Sequence, residues 1–305
     1  MSFFFYFLIT FLLSLSLTWL VKILMQSLGL VDQPGEIARK IHSQSKPVGG
    51  GIAVFVSFFS LTVAAYFLGS IGETISFNYL LALFFGGAVL MIGGLLDDIY
   101  NFSYFYQFIF PLISALIIVL FGIGPEVLTN PFGEVFDLAE ISLSVVDLNG
   151  WIWLSDLIVF VWLTGMMFTT KLLDGLDGLV AGIVAIGALM IFFLSIHTRW
   201  YQPEMSVVSI IFAGACLGFL VWNWHPAKIF LGESGSLFCG FLLGSLAILS
   251  GGKIATTLLV MGIPVLDIIR VVIMRAKKDK SVFVGDNEHL HFRLIQSGLS
   301  QRQAV

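Results

Sequence analysis

Apolar runs of about 20 residues, the length a helix needs to cross a hydrocarbon core roughly 30 Å thick, recur along nearly the whole chain. They lie near Phe3 to Met25, Gly50 to Leu68, Phe77 to Leu96, Tyr104 to Gly122, Trp151 to Phe168, Gly178 to Ile196, Met205 to Trp224, Ser236 to Leu249 and Ile254 to Met274. Continuous apolarity excludes a membrane barrel, whose strands would alternate between lipid-facing and lumen-facing residues. With 58% hydrophobic and 11% charged residues and a mean hydropathy of +1.00, the chain also falls outside the range of soluble domains. The expected fold is an all-α polytopic membrane bundle of about nine transmembrane helices, forming one domain over residues 1–305.

Finer features agree with that reading. Trp19, Trp151, Trp153, Trp200, Trp222 and Trp224 fall near the proposed span ends, where amphipathic rings favour the headgroup zone. The first run has no basic residue before it and no small-residue cleavage site after it, which predicts a retained helix rather than a signal peptide. Cys216 and Cys239 sit inside apolar runs without metal-ligand spacing and read as small buried hydrophobes.

Basic residues in short loops are retained in the cytoplasm, so the 15 Lys and Arg orient the bundle. Alternating nine spans collects 13 of them on one side, from Lys22 to Arg302, and leaves only Arg199 and Lys253 on the other. The rich side is therefore expected to be cytoplasmic, with the amino terminus outside and the carboxyl tail inside. The longest outside connection, Ile123 to Gly150, carries five acidic residues and no Lys or Arg, and suits either a short hairpin or an interfacial segment.

Once the chain is oriented, the polar clusters gather on the cytoplasmic side. Asp97 and Asp98 end an apolar span, where paired carboxylates repel unless a cation or donors neutralise them, and carboxylate oxygens are the ligands Mg2+ prefers. Asn101, four residues after Asp97, would share its helical face if the helix continues. Asp174 and Asp177 are three apart with a glycine after each, placed to share a face; Asp177 is equally placed to cap the helix beginning near Gly178. Gly232-Glu233-Ser234-Gly235-Ser236 precedes an apolar helix and would offer backbone N–H groups to an anion. His289 and His291 would share a side if extended and diverge if helical.

Taken together, RKIH with its glycine run, DDIYN, LDGLDGL, NWHPAKIFLGESGSL and DNEHLHFRL resemble the polyprenyl-phosphate N-acetylhexosamine-1-phosphate transferases, glycosyltransferase family 4. The resemblance runs in order from Arg39 to Arg302. Its histidine tail is more similar to undecaprenyl-phosphate N-acetylglucosamine-1-phosphate transferases than to phospho-N-acetylmuramoyl-pentapeptide transferases, which carry consecutive histidines. The resemblance implies transfer of a sugar-1-phosphate from a UDP-sugar to a polyprenyl phosphate, with release of UMP. It further implies Mg2+ as cofactor with Mn2+ as a substitute, and a multi-pass location in the bacterial inner membrane with the site on its cytoplasmic face. Nucleic acid is not an expected partner, and a homodimer is left open.

Carried over residue by residue, Asp97, Asp98, His289 and His291 match catalytic positions, with Asp98 a candidate to deprotonate the lipid phosphate. Arg39, Lys40, His42, Asn101, Lys171, Asp174 and Asp177 are the candidate substrate-binding residues, and Asp98 and Glu233 the candidate metal ligands, Glu233 falling where the family usually has a metal-binding Asp. Four departures stand out: Lys171 and Phe168 where the family has Asn, Glu233 where it has Asp, Phe292 where a further His is common, and Val48 where an Arg is expected. The chain stops at residues 301–305, where family members begin another helix, which predicts a missing terminal segment. The competing classes are an inactive relative that binds lipid phosphate or a partner, and a transporter. A transporter would place its charges near the bilayer midplane on broken helices, whereas these gather at one surface.

Overall fold

The computed structural model describes residues 2–33, 45–124, 127–129, 135–137, 153–198, 201–250, 254–277 and 289–305. Among them are nine long helices: α1 Phe3–Ser27, α2 Gly51–Phe67, α3 Phe77–Tyr100, α4 Tyr104–Leu120, α5 Trp153–Leu173, α6 Leu179–Ile196, α7 Pro203–Asn223, α8 Gly232–Leu249 and α9 Ile254–Lys277. Seven are long and apolar enough to cross a membrane. Helices α2 and α4, at 17 residues each, rise about 25 Å and are the short members. Two short helices follow, α10 Leu290–Gln296 and α11 Gln301–Ala304. Strand β1 (Val31–Asp32) pairs antiparallel with β2 (Lys46–Pro47), and β3 (Val127–Thr129) pairs with β4 (Val135–Asp137). The second pair is a short antiparallel pairing within the acidic connection after α4, in keeping with the hairpin its sequence allowed; the rest of that connection lies outside the described residues.

Lipid is as apolar as a leucine side chain, so helices associate there through close packing of small residues rather than through hydrophobic exclusion. The sequence follows that rule. On α1, Tyr6, Thr10, Ser14 and Thr18 recur every four residues and are all buried; Ser14 Oγ donates to the Ala215 carbonyl of α7 at 2.7 Å. Opposite them, Gly214 and Gly218 leave no room for a side chain, since a Cβ at Gly218 would stand 2.4 Å from the Phe11 carbonyl oxygen.

Helix α8 is the axis of the bundle, buried from Gly232 to Ile248 except for Glu233, which is half-buried. It lies against α3 and α5 and touches α2, α6 and α9. At its start, a Cβ on Gly51 would fall 2.2 Å from Gly235 Cα, and one on Gly94 would fall 2.2 Å from Ser234 Cα. Backbone therefore meets backbone where α2, α3 and α8 converge. That contact brings the end of α3 against the start of α8. Cys216 and Cys239 are fully buried and free, as the apolar setting predicts.

Several polar contacts close the other end of the bundle. Glu204, in the first turn of α7, accepts hydrogen bonds from the backbone N–H groups of Gly72, Glu73, Thr74 and Ile75 at 2.7–3.1 Å. The α2–α3 loop is thereby tied to α7. Trp151 and Trp200 lie outside the described residues.

Candidate active site

Asp97 and Asp98 occupy the last turn of α3, where they do different things. Asn101 takes up a left-handed conformation (φ 49°, ψ 66°) and its N–H closes on the Asp97 carbonyl, which ends the helix. Asn101 is exposed there, so the face it would have shared with Asp97 in a continuing helix does not form. The Asp97 side chain reinforces the stop: Oδ1 accepts from Phe102 N at 2.8 Å and from Gln107 Nε2 at 3.2 Å. Asp98 turns toward α8, and its Oδ1 accepts the Glu233 N–H at 3.2 Å. Its Oδ2 is buried with no hydrogen-bond partner among the described residues. Gly232 makes this approach possible, because it has a φ of 80° and a Cβ there would stand 2.8 Å from that oxygen.

Lys171, in the last turn of α5, enters the same cleft. Its Nζ donates to Gln107 Oε1 at 2.9 Å and lies 2.9 Å from Glu233 Oε2 and 3.7 Å from Asp97 Oδ2. Two of the departures from the family pattern thus face each other: the lysine in place of Asn pairs with the glutamate in place of Asp. Phe168, one turn earlier, packs on Phe108 with ring centres 4.4 Å apart. The asparagine position it replaces has become part of the apolar packing between α4 and α5.

The turn between α5 and α6 carries Asp174 and Asp177. Asp177 does not cap α6, whose cap position Gly178 receives no side-chain bond. Instead its Oδ2 lies 2.8 Å from His225 Nδ1, accepts Ala227 N–H at 3.0 Å, and stands 3.8 Å from Lys46 Nζ. Asn223 holds this corner, accepting from Gly178 N and donating to the Ile229 carbonyl, both at 3.0 Å. Asp174 opens onto the mouth of the cleft. Loss of hydration, then the charges of Glu233 and Asp177, push its carboxyl above the usual carboxylate range.

The glycine run contributes backbone rather than side chains. Phe230 N donates to the Pro47 carbonyl, Gly50 N to Phe230 and Gly51 N to Leu231, all at 2.9 Å. The loops before α2 and before α8 are thereby zipped together, which places Lys46 beside Asp177. Val48 lies in this zipper, its N–H donating to the Leu30 carbonyl at 3.2 Å. Arg39, Lys40 and His42 lie outside the described residues.

His289 is placed by a residue with no counterpart among the sequence motifs. Asp267, inside α9, accepts from His289 Nδ1 (3.0 Å) and Leu290 N (2.9 Å) on Oδ2, and from Arg270 Nη2 (2.9 Å) on Oδ1. It therefore caps α10 from a neighbouring helix and orients the imidazole at once. His289 is extended and buried, while His291 lies within α10. Arg302 donates to the His225 carbonyl at 3.1 Å, so the tail reaches the corner that holds Asp177. We expect Asp267→Asn to destabilise the fold by about 1 kcal/mol through the weakened cap, and to slow turnover by up to about 10²-fold by freeing the imidazole. Thermal unfolding and initial rates on the same preparation check both.

Gln107, Lys46 and Asp267 were not singled out in the sequence, and Asn223 and His225 entered only as part of the motif NWHPAKIFLGESGSL. A signal existed for two of them: Gln107 is the one amide in an apolar helix, and Asp267 with Arg270 puts opposite charges three apart inside an apolar run. Whether the cleft suits a cation follows from its charges. Asp97, Asp98, Asp174, Asp177 and Glu233 come together from three segments, and the ammonium groups of Lys46 and Lys171 stand against them. No ready-made cluster of three metal-ligating side chains exists among the described residues. Asp98, with its unpartnered oxygen, and Glu233, paired with Lys171, are the residues whose chemistry could hold a hard cation.

The sequence model for glycosyl transferase family 4 matches residues 80–251, more than half of the chain, and takes in all five carboxylates. The chain belongs to glycosyl transferase family 4. It is 31% identical over 306 residues to the probable undecaprenyl-phosphate N-acetylglucosaminyl 1-phosphate transferase of Bacillus subtilis, covering 98% of this chain and 79% of that relative. The decaprenyl-phosphate N-acetylglucosaminephosphotransferase of Mycobacterium tuberculosis is 31% identical over 93% of this chain and 74% of its own length. A phospho-N-acetylmuramoyl-pentapeptide-transferase of Prochlorococcus marinus is 28% identical over 98% and 84%. As a member of the family, the chain is a polytopic membrane glycosyl transferase, and the cleft just described is its candidate active site.

Proposed function

We propose that this family member transfers N-acetylglucosamine-1-phosphate from UDP-N-acetylglucosamine to undecaprenyl phosphate, releasing UMP and forming a lipid-linked pyrophosphoryl sugar for cell-envelope polysaccharide. The observation that carries this reading is the single cleft at one end of the bundle where Asp98 and Asp174 come against Glu233, which pairs with Lys171. The N-acetylglucosamine donor is favoured over the muramoyl-pentapeptide one by the 31% full-length relatives and by the His289-Leu290-His291 tail.

In this reaction an oxygen of the lipid phosphate attacks the sugar-bearing phosphorus of the donor, the bond from that phosphorus to the bridging oxygen breaks, and UMP leaves with the bridging oxygen. Two anions must approach each other, so positive charge has to be in place beforehand. Lys171 Nζ supplies a fixed charge within the cleft, placed to meet the donor pyrophosphate. Asp98 Oδ2, unpartnered and buried, is placed to take a proton from the lipid phosphate. Asp177, held by His225 and Ala227, faces the nucleotide side, and His289, oriented by Asp267, serves a phosphate oxygen. Asp98 and Glu233 would hold Mg2+, or Mn2+ in its place, which when bound neutralises charge on the reacting phosphates. The polyprenyl tail stays in the bilayer, because the cleft lies at helix ends where irregular backbone and lipid coexist.

The 13 to 2 excess of Lys and Arg supports a cytoplasmic cleft. Cysteines introduced as Glu73→Cys and Lys228→Cys, in a chain cleared of Cys216 and Cys239, are expected to label from opposite sides of the membrane. A second reading, an inactive relative, is favoured by the 2.9 Å pairing of Lys171 with Glu233, which occupies a carboxylate that a cation would need. A membrane assay of UMP release against a panel of UDP-sugars, with and without Mg2+, separates the two. UMP formed from UDP-N-acetylglucosamine only when the divalent cation is supplied supports the transferase, and no release from any donor supports the binder.

A further inference from the structure

Helices α1 and α7 leave a groove of about 400 Å3 on the outer surface of the bundle, lined by Leu15, Ser16, Trp19, Leu20 and Trp222. The indole N–H of Trp222 donates to the Leu15 carbonyl at 3.1 Å, which fixes the ring across the gap between the helices. Lys22 Nζ stands 5.4 Å from the centre of that ring and Lys228 Nζ 5.1 Å from it. Neither ammonium forms an ion pair among the described residues. Two like charges gathered on one indole repel each other, and an anion between them relieves that repulsion.

From this geometry we infer that Lys22, Trp222 and Lys228 form a binding site for an anionic phospholipid of the leaflet on the active-site side. The phosphodiester sits between the two ammonium groups and an acyl chain lies in the groove. From Leu15 to Lys22 the helix rises about 10 Å, so apolar walls extend into the hydrocarbon directly below the charges. An indole at that depth belongs to the interfacial zone, where cations meet acidic headgroups. The groove lining includes none of the cleft carboxylates, although Lys228 follows Ala227 and Trp222 precedes Asn223 at the corner that holds Asp177. Assigning its leaflet as cytoplasmic rests on the orientation proposed above; its existence does not.

The test is native mass spectrometry of the purified full chain incubated with an equimolar mixture of phosphatidylglycerol and phosphatidylcholine. Wild type is expected to retain phosphatidylglycerol selectively. Lys22→Gln or Lys228→Gln should each weaken retention about fivefold, and the pair about twentyfold. Lys22→Arg with Lys228→Arg should restore it. Lys277→Gln, which removes one positive charge from the end of α9, should leave retention unchanged. Wild-type retention in the double Gln variant, or an equal loss in Lys277→Gln, overturns the proposal. So does conversion of a dimer to a monomer with phosphatidylglycerol retention unchanged, which would make the groove a contact between copies. None of these readouts needs a UDP-sugar, so failure of the transferase reading and failure of this one are distinguishable.

Discussion

Asp98→Asn is expected to lower turnover by about 10³-fold, roughly 4 kcal/mol of transition-state stabilisation, without weakening the fold. The two effects separate because the two carboxylate oxygens do different work. Oδ1 accepts the Glu233 N–H that joins α3 to α8, and an asparagine amide oxygen still accepts it, though without the charge that strengthens the bond. Oδ2 has no partner to lose, and removing its charge relieves repulsion from Glu233, Asp97 and Asp174. Thermal unfolding of the variant should therefore match or exceed that of wild type, while initial rates of UMP release collapse. A variant that loses both stability and rate would mean that Asp98 acts as a structural brace, and its catalytic role would be withdrawn.

The second large effect concerns Lys171 and Glu233 as a pair. Glu233→Gln should reduce cation-dependent turnover by about 10²- to 10³-fold, since a neutral amide is a poor ligand for a hard divalent ion. Lys171→Asn should raise the donor KM and destabilise the fold by about 2–3 kcal/mol. Removing one partner of a buried pair usually costs about 3–5 kcal/mol, but Glu233 is 35% exposed and water screens part of the loss. Because the two groups touch, the double variant Lys171→Asn with Glu233→Asp should depart from additivity by about 1–3 kcal/mol. Its activity is the sharper measurement. An active wild type agrees with the ammonium being part of the donor site. Activity that emerges only in the double variant would show that the natural chain binds its ligands without turning them over.

The helical plan was legible in the sequence because lipid imposes one requirement on every span, an apolar stretch long enough to satisfy its own backbone. The nine apolar runs coincide with α1 to α9 to within about five residues at either end. Gathering of the acidic motifs on one side was also legible, since alternation of spans and the Lys and Arg count are both properties of order along the chain. Individual side chains were less so. The helical face that Asn101 would have shared with Asp97 does not form because one left-handed residue ends the helix, and the capping alternative for Asp177 failed because Ala227 and His225 outcompeted the local N–H groups.

By itself the sequence determined a polytopic all-α membrane protein, its family, and where its acidic and histidine motifs fall along the chain, because these depend on composition, spacing and order. Only the tertiary structure decided that Lys171 pairs with Glu233 rather than with Asp174, the carboxylate three residues along its own chain. It alone decided that Asp267 reaches across from α9 to orient His289, and that Asp98 keeps one oxygen free. The physical reason is common to all three. Each depends on the distance between atoms on different elements, which no spacing along a single helix encodes; for Asp98 that approach is set by Gly94 and Gly232, which let α3 and the start of α8 meet.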